Sequence, residues 1–405
     1  MGVGSSAVGV AAGRGHHVTQ LAVSDAEPGG WLRGLLPAAP TGTLVDSSSD
    51  YSALDRWVHN IAFASRGAQV ALSDLEDKLF AGALQPITPE RPVFVTGLPR
   101  AGTTLLLEML EASGEFGVHT YRDMPLLLTP LLWSRLSRWF RREATMKERA
   151  HGDGMLVSEE SPEAFEETLW AEFWPKQYQA HWVEPWDPRF THPEFEQFFR
   201  RHIRKILLLR ATAERQPRRY LSKNNMNIAR LPYLVKRFPD AQVLVPFRQP
   251  LQHAASLLRQ HLGFLQLHQS DPFARRYMRG IGHYDFGANL KPINFGNWMQ
   301  PQSLDHADSL SFWLQYWCAT YRTLLSQLEP RIRLFSFDHF CKAPHHSLTT
   351  LGALLELEQP AALLAQAERV SPPKAHAPAG TAIDPDLLAE AQQLYTELCR
   401  QAHNG

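Results

Sequence analysis

The sequence contains little cysteine, with Cys318, Cys341 and Cys399 as the three in 405 residues. They lie far apart, show no CxxC spacing and cannot pair evenly, so the pattern argues against a disulfide framework and against a structural zinc site. A reducing, cytoplasmic setting is the expectation that follows.

The chain also lacks a long apolar run and a net charge. No stretch approaches the ~18 apolar residues that a membrane helix needs, and the N-terminus lacks the apolar core of a signal peptide. The 41 Lys and Arg residues balance 41 Asp and Glu residues, so no nucleic-acid partner is expected and any anion site must be local. Motifs with metal-ligand spacing such as HExxH are missing, and we expect no metal requirement.

Composition divides the chain into four parts. Residues 1–48, rich in Gly, Ser, Ala and Pro, are predicted to be a loosely ordered leader. Residues 49–90 are predicted to be a helical extension that packs on the main domain, with its apolar positions at helical spacing. Residues 91–360 are expected to form the main domain and residues 361–405 a C-terminal loop and helix. The apolar positions of the extension are Leu54, Val58, Ile61, Leu72, Leu75 and Leu79.

From residue 91 onward, apolar strand patterns alternate with helical ones. The strand candidates are RPVFVTG, RYLSKNN, AQVLVPFR and RIRLFSF, and the helical patterns cover 103–113, 228–237, 251–261, 307–328 and 346–357. Such alternation indicates parallel strands joined by helical crossovers. The predicted fold is α/β, with a P-loop-type central parallel sheet flanked by helices and additional N-terminal helices.

One glycine-containing loop connects the first predicted strand to a helix. The segment FVTGLPRAGTTLL fits Gly-x-x-x-x-Gly from Gly97 to Gly102, but Thr103 and Thr104 follow where a nucleotide triphosphatase has Lys and then Ser or Thr. Backbone N–H groups from Ala101 to Thr104 would still lie at a helix N-terminus, which favours a phosphate. Arg100 supplies a cation inside the turn, so we predict an anion site without the nucleotide-kinase lysine.

The loop resembles a family motif at this point. PVFVTGLPRAGTTLLLEML is similar to the 5′-phosphosulfate loop of sulfotransferases that use 3′-phosphoadenylyl sulfate (PAPS), and AQVLVPFRQPLQHAASLLRQH resembles their 3′-phosphate segment. The latter carries Arg248 and, eight residues later, Ser256. A third segment, YLSKNNMNIARLPYLVKRFPDA, resembles the tyrosylprotein sulfotransferases and places Lys223 in the position of their lysine. The resemblance covers roughly residues 90–360.

The resemblance implies PAPS as sulfuryl donor and a hydroxyl-bearing acceptor. Residues 100–104 would hold the 5′-phosphate side, and Arg248 with Ser256 the 3′-phosphate. Arg100 and Lys223 would stabilise the negative charge that develops on the bridging oxygen of the leaving nucleotide. Two alternatives remain at this stage, an ATP-dependent P-loop kinase and a catalytically inactive nucleotide-binding scaffold.

The acceptor hydroxyl needs a general base, which the sequence leaves open. Relatives often carry a Glu in the region of VHTYRDMP, where this chain offers His119 and Asp123. Asp123 keeps carboxylate chemistry and is ranked first, with His151 and Asp153 of an HGDG loop in reserve. The acidic residues Glu163, Glu166 and Glu167 are predicted to belong to the solvent face and the first turn of a helix.

The acceptor itself is indicated only by aromatic residues. Rings in YQAHWVEPWDPRFTHPEFEQFF and INFGNWM alternate with polar groups, which suits either stacking on sugar faces or core packing. The segment WSRLSRWFRR, residues 133–142, has basic and aromatic faces that suit a peripheral membrane contact or a solvated surface helix. We therefore expect a carbohydrate or glycolipid acceptor, and the sequence gives no indication of oligomeric state.

Overall fold

The computed structural model describes residues 66–124, 126–137, 147–148, 156–157, 165–371 and 383–403. The predicted leader, the first part of the helical extension, His151, Asp153 and Glu163 lie outside these residues.

The described elements follow the alternation expected from the sequence. Helices α1 to α14 span Arg66–Leu79, Ala81–Leu84, Thr103–Glu111, Pro130–Ser137, Glu167–Phe173, Pro193–Arg210, Leu231–Arg237, Pro250–Ser270, Pro272–Gly280, Leu310–Ser326, Phe337–Lys342, Pro344–Leu354, Pro360–Leu364 and Pro385–Gln401. Strands β1 to β7 span Val93–Val95, Phe116–Gly117, Lys147–Glu148, Leu156–Val157, Arg219–Lys223, Gln242–Phe247 and Ile332–Ser336. All four strands predicted from the sequence form, as β1, β5, β6 and β7.

Five strands make one parallel sheet in the order β2-β5-β1-β6-β7. The strands β3 and β4 form a separate antiparallel pair. In the sheet, Val95 of β1 lies opposite Lys223 of β5 and Leu244 of β6. The carboxyl ends of the three central strands therefore meet at one edge, which is where ligands bind in open parallel sheets. The predicted fold class is confirmed.

The sheet is buried on both faces, as parallel sheets with helical crossovers are. On one face Phe94 of β1 packs in the larger apolar cluster with Phe199 of α6, and their ring centroids are 6.4 Å apart. On the other face Val95 joins Leu106 of α3 and Leu348 of α12. Successive residues of β1 thus point into opposite layers of helices.

Helix α1 packs through polar residues, and the prediction of an apolar packing face is wrong for its three described leucines. Leu72, Leu75 and Leu79 are 43%, 47% and 64% exposed. Glu76 is buried instead, and its carboxylate lies 2.8 Å from the ammonium of Lys205 in α6. Burial raises the pKa of the Glu76 carboxyl, and the charge of Lys205 opposes that rise. A buried ion pair of this kind fixes orientation, because breaking it would leave a charge uncompensated.

Two helices differ from their predicted bounds. The pattern at 251–261 continues to Ser270 in α8 although Gly263 weakens the local preference, because Phe264 and His268 are buried against the following segment. The pattern at 228–237 begins as the 3₁₀ segment Asn225–Arg230 before α7. In the described part of the chain, no helix is both long enough and apolar enough to cross a membrane.

Candidate active site

The loop between β1 and α3 has the backbone of an anion-binding turn. Gly97 and Gly102 have φ values of 151° and 92°, and Gly102 precedes the first residue of α3. The N-cap residue Gly102 has no side chain that could cap this helix end, and the first N–H groups of a helix point out of its N-terminus, here toward the loop. Arg100, at φ 68°, is one of the non-glycine residues in the left-handed region, a conformation uncommon for residues with a Cβ and often found at functional sites.

Glycine is required at position 102 because of a neighbour as well as the backbone angle. A Cβ added there would lie 2.3 Å from two ring carbons of Phe337. Phe337 opens α11, directly after β7. The loop is therefore packed against a segment more than two hundred residues downstream.

Arg248, between β6 and α8, and His253, in the first turn of α8, hold the loop by its carbonyl groups. Nη1 of Arg248 donates to the carbonyl oxygen of Arg100 at 2.9 Å. Nε2 of His253 lies 2.8 Å from the carbonyl oxygen of Pro99 and must donate to it, since a carbonyl only accepts. Burial, with a smaller contribution from the charge of Arg248, lowers the pKa of His253 to about 3. The imidazole is thus a neutral brace for the loop.

Arg248 and Ser256, predicted to bind one phosphate, are both buried. Arg248 directly follows strand β6, and 7% of its surface is exposed. Ser256 lies two turns into α8. The Nε of Arg248 has no hydrogen-bond partner among the described residues. Burial lowers the pKa of its guanidinium, and the carboxylate of Asp338 opposes that effect. The ring of Phe337 lies 5.5 Å from the guanidinium carbon.

A hydrogen-bonded chain leads from α3 to a half-buried carboxylate. Thr103 Oγ1 donates to Asn225 Oδ1 at 3.3 Å, and Asn225 Nδ2 donates to Asp285 Oδ2 at 3.0 Å. Asn225 follows two residues after Lys223, at the carboxyl end of β5. Asp285 forms no ion pair within the described ranges, and no local pattern in the sequence had singled it out. Ala101 and Thr104 complete the turn and are buried beside it.

The sequence candidates for the base, His119 and Asp123, lie in a buried network. Asp123 accepts hydrogen bonds from the Thr120 amide at 2.9 Å and from Arg210. Nδ1 of His119 lies 3.3 Å from Asp123, and its Nε2 lies 3.0 Å from Nε2 of His202. Burial raises the pKa of Asp123, but the hydrogen bond from His119 and the charge of Arg210 outweigh it and keep the pKa low. These contacts favour a structural role, and a proton-accepting role for either residue stays a prediction.

The solvent-face prediction for Glu166 and Glu167 is wrong, because both are buried. Glu167 accepts hydrogen bonds from Asn224 Nδ2 at 2.8 Å and from Arg230 and Tyr178. Burial raises the pKa of Glu167, and Arg230 opposes the rise. Because Asn224 directly follows Lys223, the buried carboxylate fixes the chain where the predicted catalytic lysine leaves the sheet.

Metal ligation has no evident place in this part of the molecule. Among the residues that the structure describes, no group of three or more His, Cys, Asp or Glu side chains is arranged to hold a metal ion. The expectation that no metal is required stays a prediction.

Comparison with known proteins identifies the class. The model of the sulfotransferase family matches residues 92–295, half of the chain, and the protein belongs to that family. It is a PAPS-dependent transferase enzyme, which sets aside the kinase alternative. The matched range includes the loop, Lys223, Arg248 and Ser256. No curated protein matches the sequence at a significant level.

Several solved sulfotransferase structures are similar to the chain at low identity. STF1 from Mycobacterium tuberculosis shares 14% identity at a TM-score of 0.41, covering 80% of this chain and 81% of its own. STF9 from Mycobacterium avium shares 15% at a TM-score of 0.44, with coverages of 89% and 90%. The sulfotransferase domain of the curacin biosynthetic pathway shares 14% at 0.33, with coverages of 77% and 98%.

Proposed function

We propose that the enzyme transfers a sulfuryl group from PAPS to a hydroxyl group of a carbohydrate or glycolipid acceptor. One observation carries the choice of donor, the hydrogen bond from Arg248 to the carbonyl oxygen of Arg100. It joins the predicted 3′-phosphate segment to the predicted 5′-phosphate loop. A nucleotide with phosphates on both the 5′ and 3′ positions of one ribose requires two such anion sites side by side.

The residues present fit this donor. The buried Nε of Arg248 lacks a partner among the described residues, and a phosphate oxygen would satisfy it in the bidentate geometry that arginine favours. Ser256 would add a hydroxyl from α8. The N–H groups of residues 101–104, with the hydroxyls of Thr103 and Thr104, would hold the 5′-phosphate.

Sulfuryl transfer forms a bond from the acceptor oxygen to sulfur and breaks the bond from sulfur to the phosphate, whose bridging oxygen keeps the electron pair. Arg100 and Lys223 are proposed to stabilise the charge on that oxygen. Arg100 lies in the loop after β1, and Lys223 ends the adjacent strand β5 in register with Val95. Cations held in place before the reaction stabilise such charge without reorganisation.

For the proton of the acceptor hydroxyl we favour Asp285, with Asp123 and His119 as the alternatives. A base must be able to take up a proton, and Asp123 is already bound by Arg210. Asp285 is half-buried and is joined to Thr103 of α3 through Asn225. Its carboxylate is thus held near the loop after β1 and forms no ion pair with the described residues.

The structure narrows the support for a sugar acceptor. Five of the nine aromatic residues in the two suggestive segments, among them Trp186, Phe195 and Phe199, are buried in the core. Of the four that are half-buried, we propose Trp182 and Trp298 for stacking. Trp133, in the suggested membrane-contact segment, donates its indole N–H to the carbonyl oxygen of Arg122 at 3.0 Å, and membrane contact stays a proposal.

The first test compares thermal shifts with adenosine 3′,5′-bisphosphate, ATP and AMP. A specific ligand at 100 times its dissociation constant stabilises a protein by ~2.7 kcal/mol, and we expect that effect for the bisphosphate alone. Transfer of radiolabelled sulfate from PAPS to a panel of glycans, glycolipids, phenols and steroids then defines the acceptor. Stronger stabilisation by ATP than by the bisphosphate would contradict the proposed donor, and transfer to phenols alone would contradict the acceptor class.

A further inference from the structure

We propose that the C-terminal helix α14 positions Arg248 for the 3′-phosphate through Tyr395, so that this helix sets the preference for a 3′-phosphorylated nucleotide. The inference rests on the proposed function, because it takes Arg248 as the 3′-phosphate ligand. Helix α14, Pro385–Gln401, lies outside the residues matched by the family model.

Tyr395 contacts the residue before Arg248 and is linked through Asp338 to the residue after it. Its ring packs edge-on against Phe247, with centroids 6.0 Å apart. Its hydroxyl donates to Oδ2 of Asp338 at 3.0 Å, and the same oxygen accepts the backbone N–H of Gln249 at 2.6 Å. The backbone that carries Arg248 is therefore held before and after the residue by one side chain of α14, directly on one side and through Asp338 on the other.

The residue before Asp338 also contacts the guanidinium of Arg248 and the loop after β1. Phe337 precedes Asp338 in α11, lies beneath the guanidinium of Arg248 and packs where a Cβ of Gly102 would be. Fixing Asp338 thus fixes the aromatic surface on which Arg248 rests. A long arginine side chain loses conformational freedom on binding a phosphate, and holding its surroundings in advance reduces that loss.

Helix α14 is anchored along its buried side and beyond its C-terminal end. The amide of His403 donates to the carbonyl oxygen of Leu334 in β7 at 3.0 Å, whereas the ion pair of Glu390 with Arg322 of α10 is largely exposed and contributes little to holding the helix. Ala391 and Leu398 are fully buried between these contacts. Tyr395 is consequently presented by a rigid element.

The test measures nucleotide affinity by calorimetry and needs no acceptor. Tyr395→Phe keeps the ring and removes the hydroxyl that donates to Asp338. Because one such hydrogen bond is lost, we expect affinity for adenosine 3′,5′-bisphosphate to fall about five- to tenfold, and affinity for 5′-AMP to change by less than about twofold. Glu390→Gln, a change on the same helix that breaks the ion pair with Arg322, is the matched control and should leave the affinity ratio unchanged.

A second pair of variants examines the acceptor of both bonds. Since a single oxygen of Asp338 accepts from Tyr395 and Gln249, Asp338→Asn can keep both bonds and should retain the preference for the bisphosphate, whereas Asp338→Ala should lose it. Equal losses for both nucleotides in Tyr395→Phe would overturn the inference, because they would indicate general loosening of the site. No change in either affinity would overturn the inference as well. If the unaltered enzyme does not prefer the bisphosphate over 5′-AMP, the assignment of Arg248 fails first and the inference falls with it.

Discussion

Replacing Gly102 by alanine should lower the stability of the enzyme and damage the proposed nucleotide site. At φ 92° an alanine is strained by ~1–2 kcal/mol. Its Cβ would also meet the ring of Phe337 at 2.3 Å, and overpacking of this kind typically costs ~1–3 kcal/mol. The sum predicts a loss of about 2–5 kcal/mol in the free energy of unfolding.

Gly114 provides a matched control for the backbone term. It has φ 81°, and a Cβ added there would meet nothing within 4 Å. Gly114→Ala should therefore show only the strain of ~1–2 kcal/mol and leave nucleotide affinity unchanged. Urea denaturation gives the two free energies, and calorimetry with adenosine 3′,5′-bisphosphate gives the two affinities.

A double variant isolates the contact with the ring. Phe337→Leu shortens the side chain that the new Cβ would meet. The double variant with Gly102→Ala should therefore recover part of the lost free energy of unfolding, with a coupling energy of about 1–3 kcal/mol between the two sites. If Gly102→Ala proves as mild as Gly114→Ala in both stability and affinity, the packing argument for this loop is refuted. The absence of coupling to Phe337 would refute it independently.

Five further variants test the assigned roles. Arg248→Ala should weaken the bisphosphate roughly 10- to 100-fold, and should weaken adenosine 5′-phosphosulfate, which lacks the 3′-phosphate, by only the roughly two- to fivefold that the lost hydrogen bond to the loop costs; equal losses would exclude the assignment. Lys223→Ala should lower turnover by ~10²–10³ with little effect on bisphosphate affinity, because the charge on the leaving oxygen is greatest in the transition state, and unchanged turnover would leave the lysine a structural role. In single-turnover transfer, Asp285→Asn should slow chemistry by ~10²–10⁴, whereas Asp123→Asn should mainly lower stability; the reverse result would restore the base predicted from the sequence. The pKa of His253, about 3 when folded, lies below the unfolded value of ~6.5, so its contribution to stability is present above pH 6.5 and is lost as the pH falls toward 3. Between pH 6.5 and 5 the stability advantage of the wild type over His253→Gln should shrink by ~2 kcal/mol in urea titrations, and parallel pH curves would contradict the neutral-imidazole interpretation.

The sequence was sufficient to predict those features of the fold and of the site that depend on local interactions. Strands β1 and β6 are short, mainly apolar runs followed within a few residues by glycine or proline, and the turn after β1 shows its glycines and arginine within a few positions. The segment with Arg248 and Ser256 is equally compact. Such patterns depend on the backbone preferences and the hydrophobicity of residues that are neighbours in the sequence, and a single sequence shows both.

Distant partners explain the predictions that failed or stayed open. Glu167 is buried because Arg230 and Asn224 reach it from 63 and 57 residues away, and nothing near it in the sequence distinguishes it from a solvent-facing acid. Asp123 is bound by Arg210 across 87 residues. The leucines of α1 follow helical spacing, yet the ion pair of Glu76 with a lysine of α6 decides which side of that helix is buried.

The contacts that hold the proposed nucleotide loop have a consequence for biosynthesis. The Arg248–Arg100 contact spans 148 residues and the His253–Pro99 contact 154. At a synthesis rate of ~5–20 residues per second, the loop is made roughly 7–30 s before its braces. A growing chain that has not yet produced β6 should therefore be unable to retain the bisphosphate. Nucleotide binding can then stabilise completed domains, but it cannot stabilise the early folding intermediates.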